Sequence, residues 1–207
     1  NVAEREVYVS DWGNQRISVF DLNGIPLRTI GRRGHGDCEF ANPCGLFFDP
    51  TSALLLVADS KNDRIQFIRP AGEGTLVRQF GVRGSAKGQL SFPVAVAMHP
   101  VTRHVFVCDH DNHRVQVFSE EGFYLYQFDA AGGALPDQPF YPHRLCIDSV
   151  AEEIFVAEDN RVSVFSTKGE FLRSFGEGDA FLRRFKSQRG VALNPLTGHV
   201  IVADRDN

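Results

Sequence analysis

The 207-residue sequence lacks the features that identify several large classes of protein. Its longest apolar stretch, residues 53–58, is too short to cross a bilayer, and its first residues do not resemble a signal peptide. Acidic residues (26) outnumber lysine and arginine (22), so the net charge of −4 does not favour long-range attraction to nucleic acid. No Cys-x-x-Cys pair occurs among the four cysteines, which indicates reduced thiols and a cytoplasmic location.

Polar aromatic residues are also scarce. The chain has one tryptophan and four tyrosines but 18 phenylalanines, so most of its large rings have no polar group and favour full burial. Nineteen glycines and ten prolines indicate many turns. Together these counts favour β-sheets packed on β-sheets over a bundle of helices.

Four types of short segment recur along the chain. The first type ends in an acidic residue, and these residues are 48, 50, 49 and 46 positions apart. Its copies are 7–11, 55–59, 105–109, 154–158 and 200–204. The second type comprises 16–20, 64–68, 114–118 and 161–165; the third comprises 27–31, 77–81, 125–129 and 172–176; the fourth comprises 43–50, 93–100, 142–149 and 188–195.

Each segment is short, rich in Val, Ile and Phe, and bounded by Gly, Pro, Asn or Asp, which is typical of β-strands. Four strands in a unit of about 48 residues predict the blade of a β-propeller. The expected blade units are approximately 7–31, 43–81, 93–129 and 142–176, followed by an incomplete unit at 188–207. We therefore expect an all-β propeller of four-stranded antiparallel blades, with about four blades and an extra strand forming an excised piece of a larger ring.

The segments 9–20, 57–68 and 107–118 share an Asp-x-x-Asn-x-Arg core and resemble the NHL repeat. A shorter fourth copy has Glu158, Asn160 and Arg161. The resemblance covers nearly the whole chain and implies a propeller, usually of six blades, that serves as a binding platform. The sequence is similar to the NHL domains of tripartite-motif-type regulators, some of which bind RNA. NHL domains of this kind also occur in ubiquitin ligases and other scaffolds.

The repeated motif has a structural interpretation, because active sites break symmetry whereas a scaffold repeats it. The aspartates are expected to accept hydrogen bonds from the following turn, the asparagines to adopt positive φ, and the arginines to reach acceptors at the blade rim. These residues are Asp11, Asn14, Arg16, Asp59, Asn62, Arg64, Asp109, Asn112, Arg114, Asn160 and Arg161.

An enzyme is the less favoured reading. Resemblance to the NHL-like propeller of peptidylglycine amidating lyase implies zinc-binding histidines that follow a proline at the start of inner strands. This chain has that arrangement once, at Pro142-His143, and the equivalent positions hold Cys44, Val94 and Arg189. Zinc needs three or four converging ligands. We therefore expect no catalytic residues, no metal and no cofactor.

The loops between blades and the turns between second and third strands are expected to emerge on one face. That face carries basic residues beside acidic ones, which suits a polar protein interface. A protein or peptide is the preferred partner, single-stranded RNA is the alternative, and neither DNA nor a membrane is expected. Arg144 replaces a small residue near the axis, where it is expected to pair with a neighbouring acid or, alternatively, to receive a carboxylate. The candidate binding residues are Arg32, Arg33, Arg83, Lys87, His143, Arg144, Arg183, Arg184 and Arg189.

Overall fold

The computed structural model describes residues 5–129, 140–176, 185, 188–194 and 196–205, and regular structure there is almost entirely β-strand. In chain order the strands are β1 (Glu6–Asp11), β2 (Arg16–Asp21), β3 (Pro26–Ile30), β4 (Arg32–Arg33), β5 (Glu39–Phe40), β6 (Pro43–Asp49), β7 (Leu54–Asp59), β8 (Arg64–Arg69), β9 (Thr75–Phe80), β10 (Pro93–Met98), β11 (Val105–Asp109), β12 (Arg114–Phe118), β13 (Tyr124–Phe128), β14 (Arg144–Asp148), β15 (Glu153–Ala157), β16 (Val162–Ser166), β17 (Phe171–Phe175), β18 (Gln188–Leu193) and β19 (Val200–Asp204). Within these ranges no helix is long and apolar enough to cross a membrane.

The strands form a series of antiparallel sheets that follow the chain order, and we call each sheet a blade. Blade 1 is β1-β2-β3, blade 2 is β6-β7-β8-β9, blade 3 is β10-β11-β12-β13, blade 4 is β14-β15-β16-β17, and blade 5 is β18-β19. A short parallel pair, β4 and β5, lies in the loop between blades 1 and 2. The all-β fold with four-stranded antiparallel blades is therefore confirmed.

The hydrophobic core lies between consecutive blades, not within one sheet. Leu54 and Leu56 of β7 pack towards blade 3, whereas Leu55 and Val57 of the same strand pack towards blade 1. Successive side chains of a strand point to opposite faces of its sheet, so a blade with neighbours on both sides needs apolar residues at every position. This explains why the strand segments are continuous apolar runs and not alternating ones.

Phenylalanine fills the spaces between blades. Phe40, Phe67, Phe106, Phe118 and Phe165 are among the largest fully buried side chains. Two ring contacts link the outer strand of one blade to the next blade: Phe80 lies 4.6 Å from Phe118, and Phe128 lies 4.8 Å from Phe165, between ring centroids. The excess of phenylalanine over tyrosine is thus a property of the stacked interior.

Candidate functional site

The loops between blades and the turns between second and third strands lie on the same side of the molecule. Ser60 and Lys61, in the turn after β7, donate backbone hydrogen bonds to the carbonyl oxygens of Asn42 and Ala41, which precede β6. The side chain of Asn112 donates to the carbonyl oxygen of Gly84 in the next inter-blade loop (2.9 Å). We call this side, formed by 31–42, 81–92, 140–143 and the turns 12–15, 60–63, 110–113 and 158–161, the loop face.

The Asp-x-x-Asn-x-Arg motif of blade 2 forms a buried polar network. Arg64 Nε donates to Asp59 Oδ2 at 2.9 Å, and the Asp59 side chain is fully buried. The Arg64 guanidinium also donates to the carbonyl oxygens of His35, Gly36 and Glu39, and it therefore ties the preceding inter-blade loop to the blade. Asp59 Oδ1 accepts the backbone N–H of Ala41 in that loop, not one in the turn that follows it.

The other copies of the motif differ in how deeply their acid–arginine pair is buried. Blade 3 repeats the network: Arg114 Nε donates to Asp109 Oδ2 at 2.8 Å, and Asp109 accepts the backbone N–H of Ser91. In blade 4 the shorter copy pairs Arg161 with Glu158, again buried. In blade 1 Arg16 pairs with Asp11 at 3.0 Å, but 43% of the Arg16 side chain is exposed.

The motif asparagines do not have the positive φ that the sequence suggested. Positive φ falls on the next residue in each complete copy, at Gln15 (59°), Asp63 (52°) and His113 (56°). Each asparagine side chain instead donates to the motif aspartate, as Asn62 Nδ2 does to Asp59 Oδ2 at 2.8 Å. The expectation was therefore wrong by one residue, because the asparagine is committed to the aspartate and the following residue makes the left-handed turn.

Five rings form a continuous cluster on the loop face between blades 3 and 4. The ring centroids of His110 and His143 are 5.0 Å apart, and Tyr141 lies 5.9 Å from His110 and 4.5 Å from His113. Phe92 completes the cluster at 6.3 Å from His110. We call these residues, Phe92, His110, His113, Tyr141 and His143, the ring cluster. His113 is exposed, whereas Phe92, His110 and Tyr141 are half-buried.

His143 is the buried anchor of this cluster, with 7% of its surface exposed. Arg189 Nη1 lies 3.0 Å from His143 Nδ1, and His143 Nε2 lies 2.7 Å from Asp159 Oδ1. Since a guanidinium only donates, Nδ1 accepts and the proton of the neutral ring resides on Nε2, which donates to Asp159. Burial lowers the pKa of His143, and its hydrogen bond to Asp159 only partly offsets that effect. His143 is therefore neutral at pH 7.

The sequence favoured an ion pair between Arg144 and a neighbouring acid, and the structure shows that this expectation was wrong. Arg144 Nη1 donates to the carbonyl oxygens of Val94 (2.9 Å) and His143 (2.8 Å). The reason is local: Val94 is the extra residue of a bulge, between the pairs Pro93–Asp109 and Ala95–Cys108, and its carbonyl group points to the neighbouring inner strand. The positive charge of Arg144 therefore has only neutral acceptors among the described residues.

The remaining candidate residues are dispersed over the loop face. Arg32 pairs with Glu39 at 2.8 Å but stays largely exposed, and Arg33, Arg83 and Lys87 are exposed and form no ion pair with a described residue. Arg183 and Arg184 lie outside the described residues. Within the described ranges, no three His, Cys, Asp or Glu side chains are grouped so that they could hold a metal ion.

Sequence reasoning missed Phe92 and Tyr141, because it followed the repeated polar motif and not the residues around it. A signal was present. The residues directly before Pro43, Pro93 and Pro142 are Asn42, Phe92 and Tyr141. Two of the three are aromatic, and all three lie on the loop face shortly before an inner strand.

Repeated antiparallel blades that pack face to face, with buried acid–arginine pairs and the described inter-blade loops on one side, are typical of a β-propeller. Residues 90–118, which include β10, β11 and β12, match the model of the NHL repeat. The chain thus contains an NHL repeat at residues 90–118, and the resemblance to NHL-repeat β-propeller proteins that its motifs indicated is confirmed.

The chain is similar to several known proteins. The chain is 32% identical over 129 residues to protein brain tumor of Drosophila melanogaster, covering 61% of this chain and 12% of that protein. It is 29% identical over 206 residues to the B-box type zinc finger protein ncl-1 of Caenorhabditis elegans, covering 94% and 23%. It is also 29% identical over 104 residues to peptidyl-glycine alpha-amidating monooxygenase of Mus musculus, covering 46% and 10%. The chain spans less than a quarter of the length of each of these relatives.

Solved structures share the fold at low sequence identity. A protein of unknown function from Bacteroides caccae superimposes with a TM-score of 0.71 at 12% identity, over 97% of this chain and 67% of that one. Hydrazine synthase of Kuenenia stuttgartiensis superimposes with a TM-score of 0.66 at 11% identity, over 96% and 52%. These similarities concern the fold alone.

Proposed function

We propose that the chain is a non-catalytic platform that binds a protein partner through its loop face, with the ring cluster and Arg189 at the centre of contact. The observation that carries the proposal is the contiguity of the five rings, which join two blades at the start of their inner strands. Tyrosine and arginine dominate the residues that contribute most to protein–protein affinity, and rings with a polar tip suit a surface that is alternately wet and buried.

The cluster is held in place before a partner arrives. His143 is fixed by Asp159 and by Arg189, and Tyr141 and His110 contact other rings. A preorganised contact surface loses little conformational entropy on binding, so more of the contact energy appears as affinity. The buried motif pairs, such as Asp59–Arg64, serve the scaffold in this proposal and keep the inter-blade loops in position.

The whole protein's role is a further part of the proposal. The two NHL relatives are much longer than this chain, and one is named as a B-box type zinc finger protein. We place this propeller as the recognition module of a comparable scaffold or ubiquitin-ligase-type regulator, in which any ligase activity belongs to another segment.

Binding of single-stranded RNA is the second candidate, and one observation favours it. Arg33, Arg83 and Lys87 are exposed on the loop face without an ion-pair partner among the described residues, so their charges are available to phosphates. The rings are also able to stack on bases. Acidic side chains on the same face, such as Asp37 and Asp111, weaken the positive potential, which is why the protein partner is preferred.

A comparison of three immobilised proteins tests the preferred function. The wild-type chain is expected to retain a defined partner from nuclease-treated extract, and Tyr141→Ala is expected to lower retention at least tenfold, which corresponds to about 1.4 kcal/mol. Val150→Ala is the matched control, because Val150 is 94% exposed in the turn after β14, away from the loop face. Equal retention by Tyr141→Ala and wild type would contradict the proposal.

A salt titration with a single-stranded RNA pool separates the two candidates. Tight binding that falls steeply with salt, and is lost in Arg83→Glu, would establish RNA as the ligand instead. Weak binding with no effect of Arg83→Glu, together with loss of the protein partner in Tyr141→Ala, supports protein recognition.

A further inference from the structure

Arg144 occupies a crowded position near the propeller axis. The equivalent residues of the other inner strands are Gly45, Ala95 and Gly190, and a Cβ atom added to Gly45 would lie 2.6 Å from the Cα of Ala95. The inner strands β6 and β10 therefore approach too closely at this level for a larger side chain on β6. A guanidinium at the same level of β14 requires free space, and the structure provides it as a cavity.

That cavity has a volume of about 360 Å³ and lies against the inner strands. Arg144 lines it together with Cys44, Gly45, Ala95 and Val191. The wall combines small and aliphatic residues with the polar side chains of Tyr8 and Ser10, and among the described residues that line it Arg144 carries the permanent charge. A charge that is partly enclosed by protein interacts with a ligand charge more strongly than it would in bulk water.

The hydrogen-bond arrangement leaves part of the guanidinium available. Both hydrogens of Arg144 Nη1 are used, by the carbonyl oxygens of Val94 and His143. The Nε and Nη2 hydrogens have no partner among the described residues. These atoms form the edge through which arginine binds a carboxylate with two parallel hydrogen bonds. The two carbonyl bonds fix the plane of the group, so this edge is presented in a single orientation.

We propose that this cavity binds one carboxylate of the protein partner, either a C-terminal carboxylate or an Asp or Glu side chain. The inference rests on the proposed function for the class of partner, and it adds the chemistry of the contact. A single cation in a cavity that is also lined by Ala95, Val191 and Tyr8 suits one carboxylate beside apolar groups. A polynucleotide requires several cations along its backbone, whereas Arg144 is the one permanently charged side chain among the described residues that line this cavity.

Short peptides test the proposal directly on the whole chain. The probes are N-acetyl-Ala-Ala-Leu-Leu with a free carboxylate, the same peptide as its C-terminal amide, and N-acetyl-Ala-Leu-Glu-Leu-amide, which carries only a side-chain carboxylate. Dissociation constants are measured by NMR titration. At least one carboxylate peptide is expected to bind at least tenfold more tightly than the neutral amide, and the stronger of the two identifies the kind of carboxylate.

Two variants assign the effect to Arg144. Arg144→Gln is expected to remove the preference for the carboxylate peptides, and Arg144→Lys to restore only part of it, because an ammonium group does not present two parallel donors. Arg173→Gln is the matched control: Arg173 lies on the outer strand β17, pairs with Glu153 and does not line the cavity, so the preference is expected to remain.

The proposal is overturned if the acid and amide peptides bind with equal affinity, or if Arg144→Gln keeps the preference for the acid peptides. It is also overturned if no peptide binds at a concentration of about 10 mM, which is on the order of the weakest dissociation constant that the titration measures. The proposal would also be overturned, in favour of a phosphate ligand, if octauridylate displaced the carboxylate peptides from the wild type but did not bind Arg144→Gln. A result that contradicts the carboxylate site can be distinguished from one that contradicts the proposed protein-binding function. If Tyr141→Ala abolishes partner binding while Arg144→Gln leaves it unchanged, the proposed function stands and this inference fails.

Discussion

Arg103 of blade 3 holds the carboxylate of Asp49 of blade 2 through two hydrogen bonds, of 2.9 Å and 2.6 Å. Asp49 is 2% exposed and also accepts the backbone N–H groups of Thr51 and Ser52 in its own turn. Arg103 also forms an ion pair with Glu120 of its own blade. One guanidinium thus fastens the turn of one blade to the body of the next, on the side opposite to the loop face.

Replacing Arg103 with Gln is expected to lower the free energy of unfolding by about 2–4 kcal/mol, because it leaves the carboxylate of Asp49 buried without its cation. Arg173→Gln provides a matched control, since Arg173 also pairs with a carboxylate, that of Glu153, but remains 51% exposed. Its loss is expected to cost less than about 1 kcal/mol. Urea unfolding of the three proteins measures the difference, and similar midpoints for both variants would contradict the assigned role of Arg103.

The Asp49–Arg103 pair also predicts how stability depends on pH. Burial favours the protonated form of Asp49, but the hydrogen bonds from Arg103, Ser52 and the backbone outweigh it and hold the pKa well below its usual range. A carboxyl group whose pKa is depressed on folding stabilises the protein above its unfolded pKa, about 3.9, and loses that contribution as the pH falls towards the folded value.

The destabilisation caused by Asp49→Asn is therefore expected to be largest between pH 5 and 7 and to shrink as the pH falls from about 4 towards 2. Thermal unfolding of wild type and variant in matched low-salt buffers measures it. A difference that stays constant over this pH range would show that ionisation of Asp49 contributes nothing.

Much of the fold was predictable because the repeat makes each strand visible several times. The acidic ends of the first segment type, from Asp11 to Asp204, already place one strand in each blade. The site was less predictable. The Arg144–Val94 contact depends on a bulge that exposes one carbonyl oxygen, and the contact of Tyr141 with His110 joins residues of different blades. Neither contact recurs at the repeat interval of the sequence, so a search for repeats does not reveal it.

The close approach of the inner strands predicts a strong effect of a single methyl group. Gly45→Ala would place a Cβ 2.6 Å from Ala95 Cα and 2.8 Å from the carbonyl oxygen of Val94, both of them backbone atoms that cannot rotate away. We expect a loss of about 1–3 kcal/mol or more in the free energy of unfolding. Gly13→Ala is the control, because nothing lies within 4 Å of its added Cβ. Equal stability of the two variants would show that β6 and β10 separate easily.

Copies of one motif in different surroundings allow its structural role to be measured. Arg64 is buried and joins Asp59 to three carbonyl oxygens of the preceding loop, whereas Arg16 makes the same pair with Asp11 at the surface. Arg64→Ala is expected to lower the free energy of unfolding by about 3–5 kcal/mol, because the Asp59 carboxylate and the loop carbonyls lose their donor. Arg16→Ala is expected to cost less than about 1 kcal/mol.

Hydrogen exchange distinguishes a scaffold role from a binding role for Arg64. In Arg64→Ala, or in the milder Arg64→Lys if the first variant does not fold, the backbone amides that depend on the loop contact, those of Ala41 and Lys61, are expected to exchange faster. In Arg16→Ala these amides are expected to keep their wild-type rates. If both variants were equally stable and showed unchanged exchange, the repeated acid–arginine pair would have no scaffold role, and its arginines would have to be tested as partner contacts instead.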